Sequence, residues 1–117
     1  MSIIDFKKAL TETDEVELTV TGRSGRETSR PVWFIQEGET LSLLPVKGSD
    51  SAWFKNVLKT PSIRLAANDV AIRAVARPIT DPRRVRDVAE KFRAKYGADE
   101  VKKYYSKFDV AVEVPLT

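Results

Sequence analysis

The residues best suited to binding chemistry lie in one short turn of the sequence. Residues 41–46 predict a strand, residues 52–59 predict a helix, and the polar turn 47–51 joins them. Lys47 leaves the strand beside the N-terminus of the helix. The first turn of a helix has free N–H groups and a partial positive charge, so a lysine at this place is well positioned to hold a phosphate.

The other polar side chains of this turn act in both directions. Ser49 and Ser51 carry hydroxyls that can donate to an anion, and together with Asp50 they can cap the helix. The carboxylate of Asp50 would repel an anion. The turn is therefore a candidate anion site, with an ordinary strand-to-helix connection as the alternative.

A second group of anion-binding side chains lies upstream. Residues 22–27 are rich in turn formers and predict a hairpin connection that carries Arg23 and Arg26, with Arg30 shortly after it. Arginine is the preferred bidentate partner of phosphate and carboxylate groups. A solvated surface turn is the alternative interpretation of this segment.

The composition excludes several kinds of active site. The sequence contains no cysteine and no histidine, so it offers no usual zinc site, no Cys–His nucleophile, no Ser–His–Asp triad and no histidine base. A demanding reaction would need a bound cofactor, with the protein supplying position and electrostatics. A protein that performs no chemistry fits the composition equally well.

Length and charge indicate the broad class of the protein. The 117 residues predict a single domain over 1–117, and the net charge of +3 favours anionic small molecules without requiring nucleic acid. No apolar run approaches the roughly 20 residues of a membrane span, and no signal-peptide pattern is present at the N-terminus. With no cysteine available for disulfides, we expect a cytoplasmic protein.

Hydrophobic periodicity predicts six strands and four helices. The predicted strands are residues 15–21, 31–36, 41–46, 62–67, 70–77 and 109–114. The predicted helices are residues 2–10 with Ser2 as N-cap, 52–59, 82–96 with Asp81 as N-cap and Gly97 as its end, and 98–106. The order of these elements predicts a mainly β fold with added helices: a six-stranded antiparallel split β-barrel with an N-terminal helix, a short helix between strands and a C-terminal helical pair.

Three segments of the sequence resemble one known superfamily. They are GRSG at residues 22–25, RPVW at residues 30–33 and AWFKNVLKTP at residues 52–61. This pattern is similar to that of the split-β-barrel flavin and deazaflavin oxidoreductases, which have the pyridoxamine-phosphate-oxidase-like fold. The small deazaflavin-dependent nitroreductase-like proteins are the branch that it resembles most. The similarity is good over residues 22–65 and otherwise rests on the order of the elements.

The resemblance implies a cofactor, either FMN or a deazaflavin coenzyme, and a set of residues around it. Arg23 occupies the basic position of the family's turn, and Trp53 and Asn56 match positions at its cofactor pocket. The second family arginine is replaced by Thr28, and Arg30 lies beside the strand proline instead. The full set of expected cofactor-binding residues is Arg23, Ser24, Arg30, Lys47, Ser49, Ser51, Trp53 and Asn56. Trp53 as a simple core residue is the alternative.

Three functions stay open at this point. The resemblance implies an oxidoreductase that transfers hydride to or from a small acceptor of the quinone, nitro or enone type. A non-catalytic binding protein on the same fold is the second, since the turn 47–51 is short. The third is a nucleic-acid binder that uses nine lysines and arginines between residues 83 and 107. Four carboxylates lie among those charges, which favours a solvated, salt-bridged face.

The aromatic and apolar content predicts a homodimer. Residues 32–35 are apolar at consecutive positions, so both faces of that strand need cover. A two-fold partner would supply it, and Trp33 would then be a core or interface residue rather than a platform for a flavin ring. Cover by the C-terminal helices of the same chain is the competing explanation. We expect no membrane partner.

Overall fold

The computed structural model describes residues 3–116, apart from the side chain of Arg23. The helices are α1 (Ile3–Leu10), α2 (Ala52–Lys59), α3 (Pro82–Tyr96) and α4 (Ala98–Tyr104). The strands are β1 (Glu15–Thr21), β2 (Glu27–Trp33), β3 (Ile35–Glu37), β4 (Thr40–Leu43), β5 (Ser62–Ala67), β6 (Val70–Val75), β7 (Arg77–Ile79) and β8 (Ala111–Pro115). Single-turn 3-10 helices cover Arg23–Gly25 and Gly48–Asp50. The predicted N-cap Ser2 lies outside the described residues.

The strands form two antiparallel sheets of four strands each. The first sheet has the order β2-β1-β5-β6 and the second has the order β3-β4-β8-β7. The predicted antiparallel β fold with four helices is therefore confirmed, but the count of six strands in one split barrel was wrong. Two of the six predicted strands bend, at Phe34 and at Ala76, and pass from the first sheet to the second. Such a change of sheet at a bend is a known way to build corners, and it turns six strands into eight.

Other strand boundaries differ from the prediction for local reasons. Strand β2 begins at Glu27 instead of residue 31, because its polar first half lies exposed at the edge of the sheet and shows no alternation. Strand β4 ends at Leu43, two residues before Pro45, which has no N–H to donate to a sheet. Helix α4 ends at Tyr104 rather than at residue 106, since the N–H of Ser106 donates to the carbonyl of Val46 at 2.9 Å.

The caps of α3 confirm the sequence signals. Asp81 is the N-cap and accepts the N–H of Arg83 at 3.0 Å, and Pro82 is the first helical residue. Gly97 ends the helix with φ +97°. The bounds of α2 agree with the prediction at both ends. The two hairpins β3–β4 and β5–β6 form as predicted.

Two hydrophobic clusters divide the interior. The larger lies between the sheets and joins Leu18 and Leu65 of the first sheet to Leu41 and Val112 of the second, with α1 and α2 packed against it. The smaller lies on the other face of the second sheet, where α3 and α4 cover residues such as Ile35. The C-terminal helices therefore supply the cover that residues 32–35 were expected to need from a second chain.

Candidate functional site

The predicted anion turn at residues 47–51 binds a carboxylate of its own chain. The N–H of Ser49 donates to Oδ1 of Asp109 at 2.9 Å, and the Ser49 hydroxyl donates to Oδ2 of the same carboxylate. The Ser49 hydrogen bonds lower the pKa of Asp109, and the charge of Lys107 acts in the same direction. Two of the donors expected to hold a phosphate, the N–H and the hydroxyl of Ser49, are thus already used by Asp109.

Gly48 permits this close contact. Its φ is +55°, and a Cβ atom there would lie 2.1 Å from Oδ1 of Asp109. The neighbouring Lys107 places its Nζ 3.1 Å from Oδ2 of Asp50 and 3.7 Å from Oδ2 of Asp109. This lysine neutralises part of the negative charge around the turn. The charged groups around the turn thus pair with one another within the chain, at the surface, and do not form an open anion-binding site.

Ser51 and Lys47 take different positions from those expected. Ser51 is buried, and its hydroxyl accepts the N–H of Lys47 at 2.9 Å. Ser51 is the N-cap residue of α2 but makes no side-chain cap hydrogen bond, so the expected capping by its hydroxyl was wrong. Asp50 pairs with Lys107 instead of capping the helix. The Lys47 side chain is exposed, and no salt bridge to it occurs within the described part of the chain.

The arginine turn at residues 22–27 lies beside α2. Ser24 is exposed and left-handed with φ 62°, and the Arg23 side chain is outside the described structure. The side-chain nitrogen of Asn56 lies 3.4 Å from the position of a Cβ on Gly22. The fold therefore brings Asn56 to this turn. Trp53 points away into the larger core and is only 3% exposed.

Arg30 has an unmet hydrogen-bonding group. It pairs with Leu18 across β1 and β2, so its side chain shares the inward face of the first sheet. Its Nε is buried and has no hydrogen-bond partner in the described structure. A buried donor without a partner is unfavourable by roughly 1–3 kcal/mol, and an anionic oxygen would satisfy it. Among the predicted site residues, Arg30 carries the clearest sign of a missing ligand.

An aromatic groove is lined in part by the residues that follow Arg30 on β2. It has a volume of about 450 Å³ and is lined by Glu15, residues 31–33, Leu44, Val46, Glu100, Tyr104 and Tyr105. Trp33 stacks on Tyr96 at 4.2 Å with 7° between the rings, and Tyr104 stands at 84° to Trp33 with 5.6 Å between centroids. The groove thus has two aromatic walls at nearly right angles, which form a corner suited to a flat ligand.

Sequence reasoning missed this groove. Tyr104 and Tyr105 are not among the predicted site residues, and Trp33 was interpreted as a core or interface residue. Trp33 is half-buried and lines the groove. The groove unites segments that are far apart in the chain, so their proximity had no local signature. The one available signal was the resemblance at residues 30–33, which marked this strand but not the helix opposite.

The tyrosines behind the groove are held firmly. The hydroxyl of Tyr96 lies 2.6 Å from the carbonyl oxygen of Asp14, and burial raises the pKa of Tyr96 to about 12. Burial likewise raises the pKa of Tyr105. Lys95 donates to the carbonyl of Phe34 at 2.9 Å, and desolvation lowers its pKa. The two tyrosines therefore stay protonated near neutral pH and act as walls rather than as bases.

The C-terminal helices carry the predicted salt-bridged face. Lys91 contacts Glu37 at 2.7 Å and Asp87 at 2.9 Å, and Arg93 contacts Glu90 at 2.5 Å.

Within residues 3–116, none of the helices is long and apolar enough to cross a membrane. The described residues also contain no group of three or more acidic side chains arranged to hold a metal ion.

A family profile matches residues 7–112, most of the chain, with the description "Uncharacterized protein conserved in bacteria (DUF2255)". The chain belongs to the DUF2255 family. Among the curated proteins, no relative of this DUF2255 chain matches.

Solved structures show which fold the DUF2255 chain has. An F420-H2-dependent reductase, FDR-A, superposes with a TM-score of 0.65 at 21% identity, over 86% of this chain and 93% of that one. The heme storage protein HutZ from Vibrio cholerae superposes at 0.71 with 14% identity, over 98% and 90%. A domain-swapped dimer superposes at 0.66 with 20% identity, over 97% and 99%. The DUF2255 chain therefore has the split-barrel fold of the pyridoxamine-phosphate-oxidase-like superfamily, as the resemblance implied.

Proposed function

We propose that this protein binds a flavin or deazaflavin ring in the aromatic groove and is an oxidoreductase that transfers hydride to or from a small organic acceptor. The observation that carries the proposal is the groove itself, whose lining includes residues 31–33, directly after Arg30 with its unpartnered Nε on the same strand. Cofactor sites are typically apolar, aromatic clefts of about 300–1,000 Å³ with a few polar groups for orientation. FDR-A, on the same fold, is described as a reductase that depends on F420-H2.

The groove fits the ring of such a cofactor, and the turn at residues 47–51 does not fit its phosphate. Trp33 lines the groove and is held in its plane by the stack on Tyr96. Arg30 supplies a donor for a phosphate oxygen, and the exposed Lys47 adds positive charge. Ser49 is excluded as a phosphate ligand because Asp109 occupies its donors. This corrects our expectation for Ser49.

The chemistry divides between cofactor and protein. When bound, the ring supplies the hydride chemistry. The chain's own residues bind the ring's faces, orient it through Trp33 and Tyr104, and exclude water with Leu44 and Val46. Because the sequence has no histidine and Tyr96 has a raised pKa, we assign no protein residue the role of general base.

We also infer a homodimer. The outer face of the first sheet carries Arg64, Arg73 and Val75, and Val75 is 60% exposed. A single exposed valine is ordinary on a protein surface, so the support for a second copy comes from a structure of the same fold. One protein of the same fold is described as a domain-swapped dimer. Light scattering at micromolar concentration should give about twice the chain mass of 13.2 kDa; the monomer mass would contradict this inference.

A non-catalytic binding protein is the second candidate, and the Ser49–Asp109 contact favours it. A split barrel whose phosphate turn is filled by an internal carboxylate would hold a phosphorylated cofactor less firmly. Such a protein would take an organic ligand in the groove without turnover.

Titration of the purified protein with FMN and with coenzyme F420 tests the proposal. We expect one of them to bind with a dissociation constant of tens of micromolar or lower. Binding is monitored by the quenching of cofactor fluorescence. Arg30→Ala should weaken this binding, whereas Arg64→Ala, on the exposed outer face, should leave it unchanged. If neither cofactor binds, the oxidoreductase proposal fails. If one binds but is not reduced or oxidised by any quinone, nitro or enone compound, the second candidate is favoured.

A further inference from the structure

The groove combines its aromatic walls with negative charge. Its described lining includes the carboxylates of Glu15 and Glu100 and no lysine or arginine. Three further cavities of the molecule are each lined by at least one arginine, such as Arg73 or Arg93. The protein as a whole carries a net charge of +3. The acidic character of the groove is therefore a local departure from the charge of the chain.

Each aromatic wall has its own carboxylate. Glu15 is directly opposite Trp33 in the register of β1 and β2, so both side chains lie on the same face of the sheet. Glu100 precedes Tyr104 by four residues on α4, which places both on one face of that helix. The groove thus presents two pairs, each made of a ring and a carboxylate, on two different elements.

This arrangement is complementary to a positive charge on an aromatic ligand. Cations are attracted to the faces of tryptophan and tyrosine rings, and carboxylates nearby add to that attraction. We infer that the organic substrate of this groove is a planar aromatic cation. The inference rests on the proposed function in that it names the class of the small acceptor that would enter the same groove, and anionic or neutral aromatic acceptors should bind there less well.

A lysine of the same chain, Lys103, already lies over the Tyr104 ring. Nζ of Lys103 is 5.4 Å from the centroid of the Tyr104 ring, although Lys103 does not line the groove. It shows that the ring is accessible to a cation, and its charge opposes that of an incoming one. Lys95 is placed behind the Trp33–Tyr96 stack, 4.9 Å from the Tyr96 centroid, where it does not face the groove.

Three probes that differ in charge test the inference on the protein without cofactor. They are 1-methylquinolinium, quinoline at a pH where it is uncharged, and 1-naphthoate. Binding is followed by the indole N–H signals of the two tryptophans in nitrogen-edited NMR spectra, with the Trp33 signal assigned from Trp33→Phe. We expect 1-methylquinolinium to shift the Trp33 signal and to bind about fivefold or more tightly than quinoline, with 1-naphthoate the weakest.

Four variants relate this order to named side chains. Glu15→Gln and Glu100→Gln should each weaken binding of 1-methylquinolinium by about two- to fivefold and leave quinoline unchanged. Glu27→Gln, which changes the charge equally at the far end of β2, should change neither. Lys103→Gln should strengthen binding of the cation. All variants should keep the dispersed spectrum of the folded protein.

Equal binding of the three probes, or an undiminished preference for the cation in both Glu15→Gln and Glu100→Gln, would overturn the inference. Its failure is separable from that of the proposed function, because the probes are titrated without cofactor. If FMN and F420 fail to bind while the cation binds in the stated order, the groove chemistry stands and the oxidoreductase proposal falls. If a cofactor binds and the probes show no charge preference, the reverse holds.

Discussion

The Tyr96 hydroxyl satisfies the backbone of Phe34 at the corner where β2 becomes β3. The N–H of Phe34 donates to it at 3.1 Å, and the hydroxyl lies 2.9 Å from the Phe34 carbonyl oxygen. Phe34 belongs to neither strand and is 2% exposed, so its backbone groups need partners other than water. A side chain from α3 thus supplies the hydrogen bonds that the sheets do not.

Tyr96→Phe tests this corner. The change keeps the ring that stacks on Trp33 but leaves the buried Phe34 N–H without a partner. We expect a loss of about 1–3 kcal/mol in the free energy of unfolding. Urea denaturation measures it, with Tyr104→Phe, whose side chain is largely exposed, as the control. Equal effects of the two changes would show that the corner does not depend on the hydroxyl.

The loss of stability caused by Asp109→Asn should depend on pH in a defined way. The folded state lowers the pKa of Asp109, so its contribution is present above the unfolded-state pKa and is lost as the pH falls through the lower, folded-state value. We expect Asp109→Asn to be less stable than the natural chain at neutral pH and to approach it in acid. Denaturant midpoints at neutral and acidic pH measure this, and Glu12→Gln serves as the control. A difference that does not change with pH would contradict the assignment.

Gly48→Ala should be more harmful than Gly38→Ala. Both glycines have similar left-handed φ values, +55° and +57°, but only Gly48 faces an obstacle, the Asp109 carboxylate. The backbone term is about 1–2 kcal/mol at each site, and we expect Gly48→Ala to lose at least about 1 kcal/mol more. Thermal unfolding of both variants checks this. Adding Asp109→Ala to Gly48→Ala should recover part of the difference, and no recovery would place the obstacle elsewhere.

Arg30→Met should separate stability from binding. The change removes the unpartnered Nε and keeps an apolar stem of similar length, so the free energy of unfolding should stay the same or rise. Cofactor affinity should fall in the same variant. Paired denaturation and titration experiments measure both quantities, with Arg64→Met as the control for loss of an exposed arginine. A clear loss of stability in Arg30→Met would mean that Arg30 is a structural residue.

Local signals predicted the helices and most strands well. The cap of α3 depends on Asp81 and Pro82, which are adjacent in sequence, and α2 ends before Pro61, so both could be inferred from the sequence. The alternation in β1 and β5 likewise records which side chains point inward. The bends at Phe34 and Ala76 could not be inferred, because a run of apolar residues looks the same in a straight strand and in one that changes sheets.

The sequence could indicate candidate site residues only where a single local segment carries the motif. The resemblance selected the strand around Arg30 and the position of Asn56, and the structure brings Asn56 beside the arginine turn. The contact between Ser49 and Asp109 joins residues sixty positions apart. No periodicity or motif records such a contact, so an internal carboxylate in place of an external anion was invisible in the sequence. Whether any of the predicted site residues, Arg30 and Asn56 included, holds a cofactor stays a prediction.

The two bent strands affect how the molecule can open. Strand β2 of the first sheet continues into β3 of the second, and β6 of the first sheet continues into β7 of the second. Each sheet therefore contains two strands that are joined directly along the chain to a strand of the other sheet. We therefore expect that neither sheet can unfold while the other stays folded. Partial opening should be confined to the chain ends and exposed turns, and the amides of both sheets should exchange with solvent only when the whole molecule unfolds.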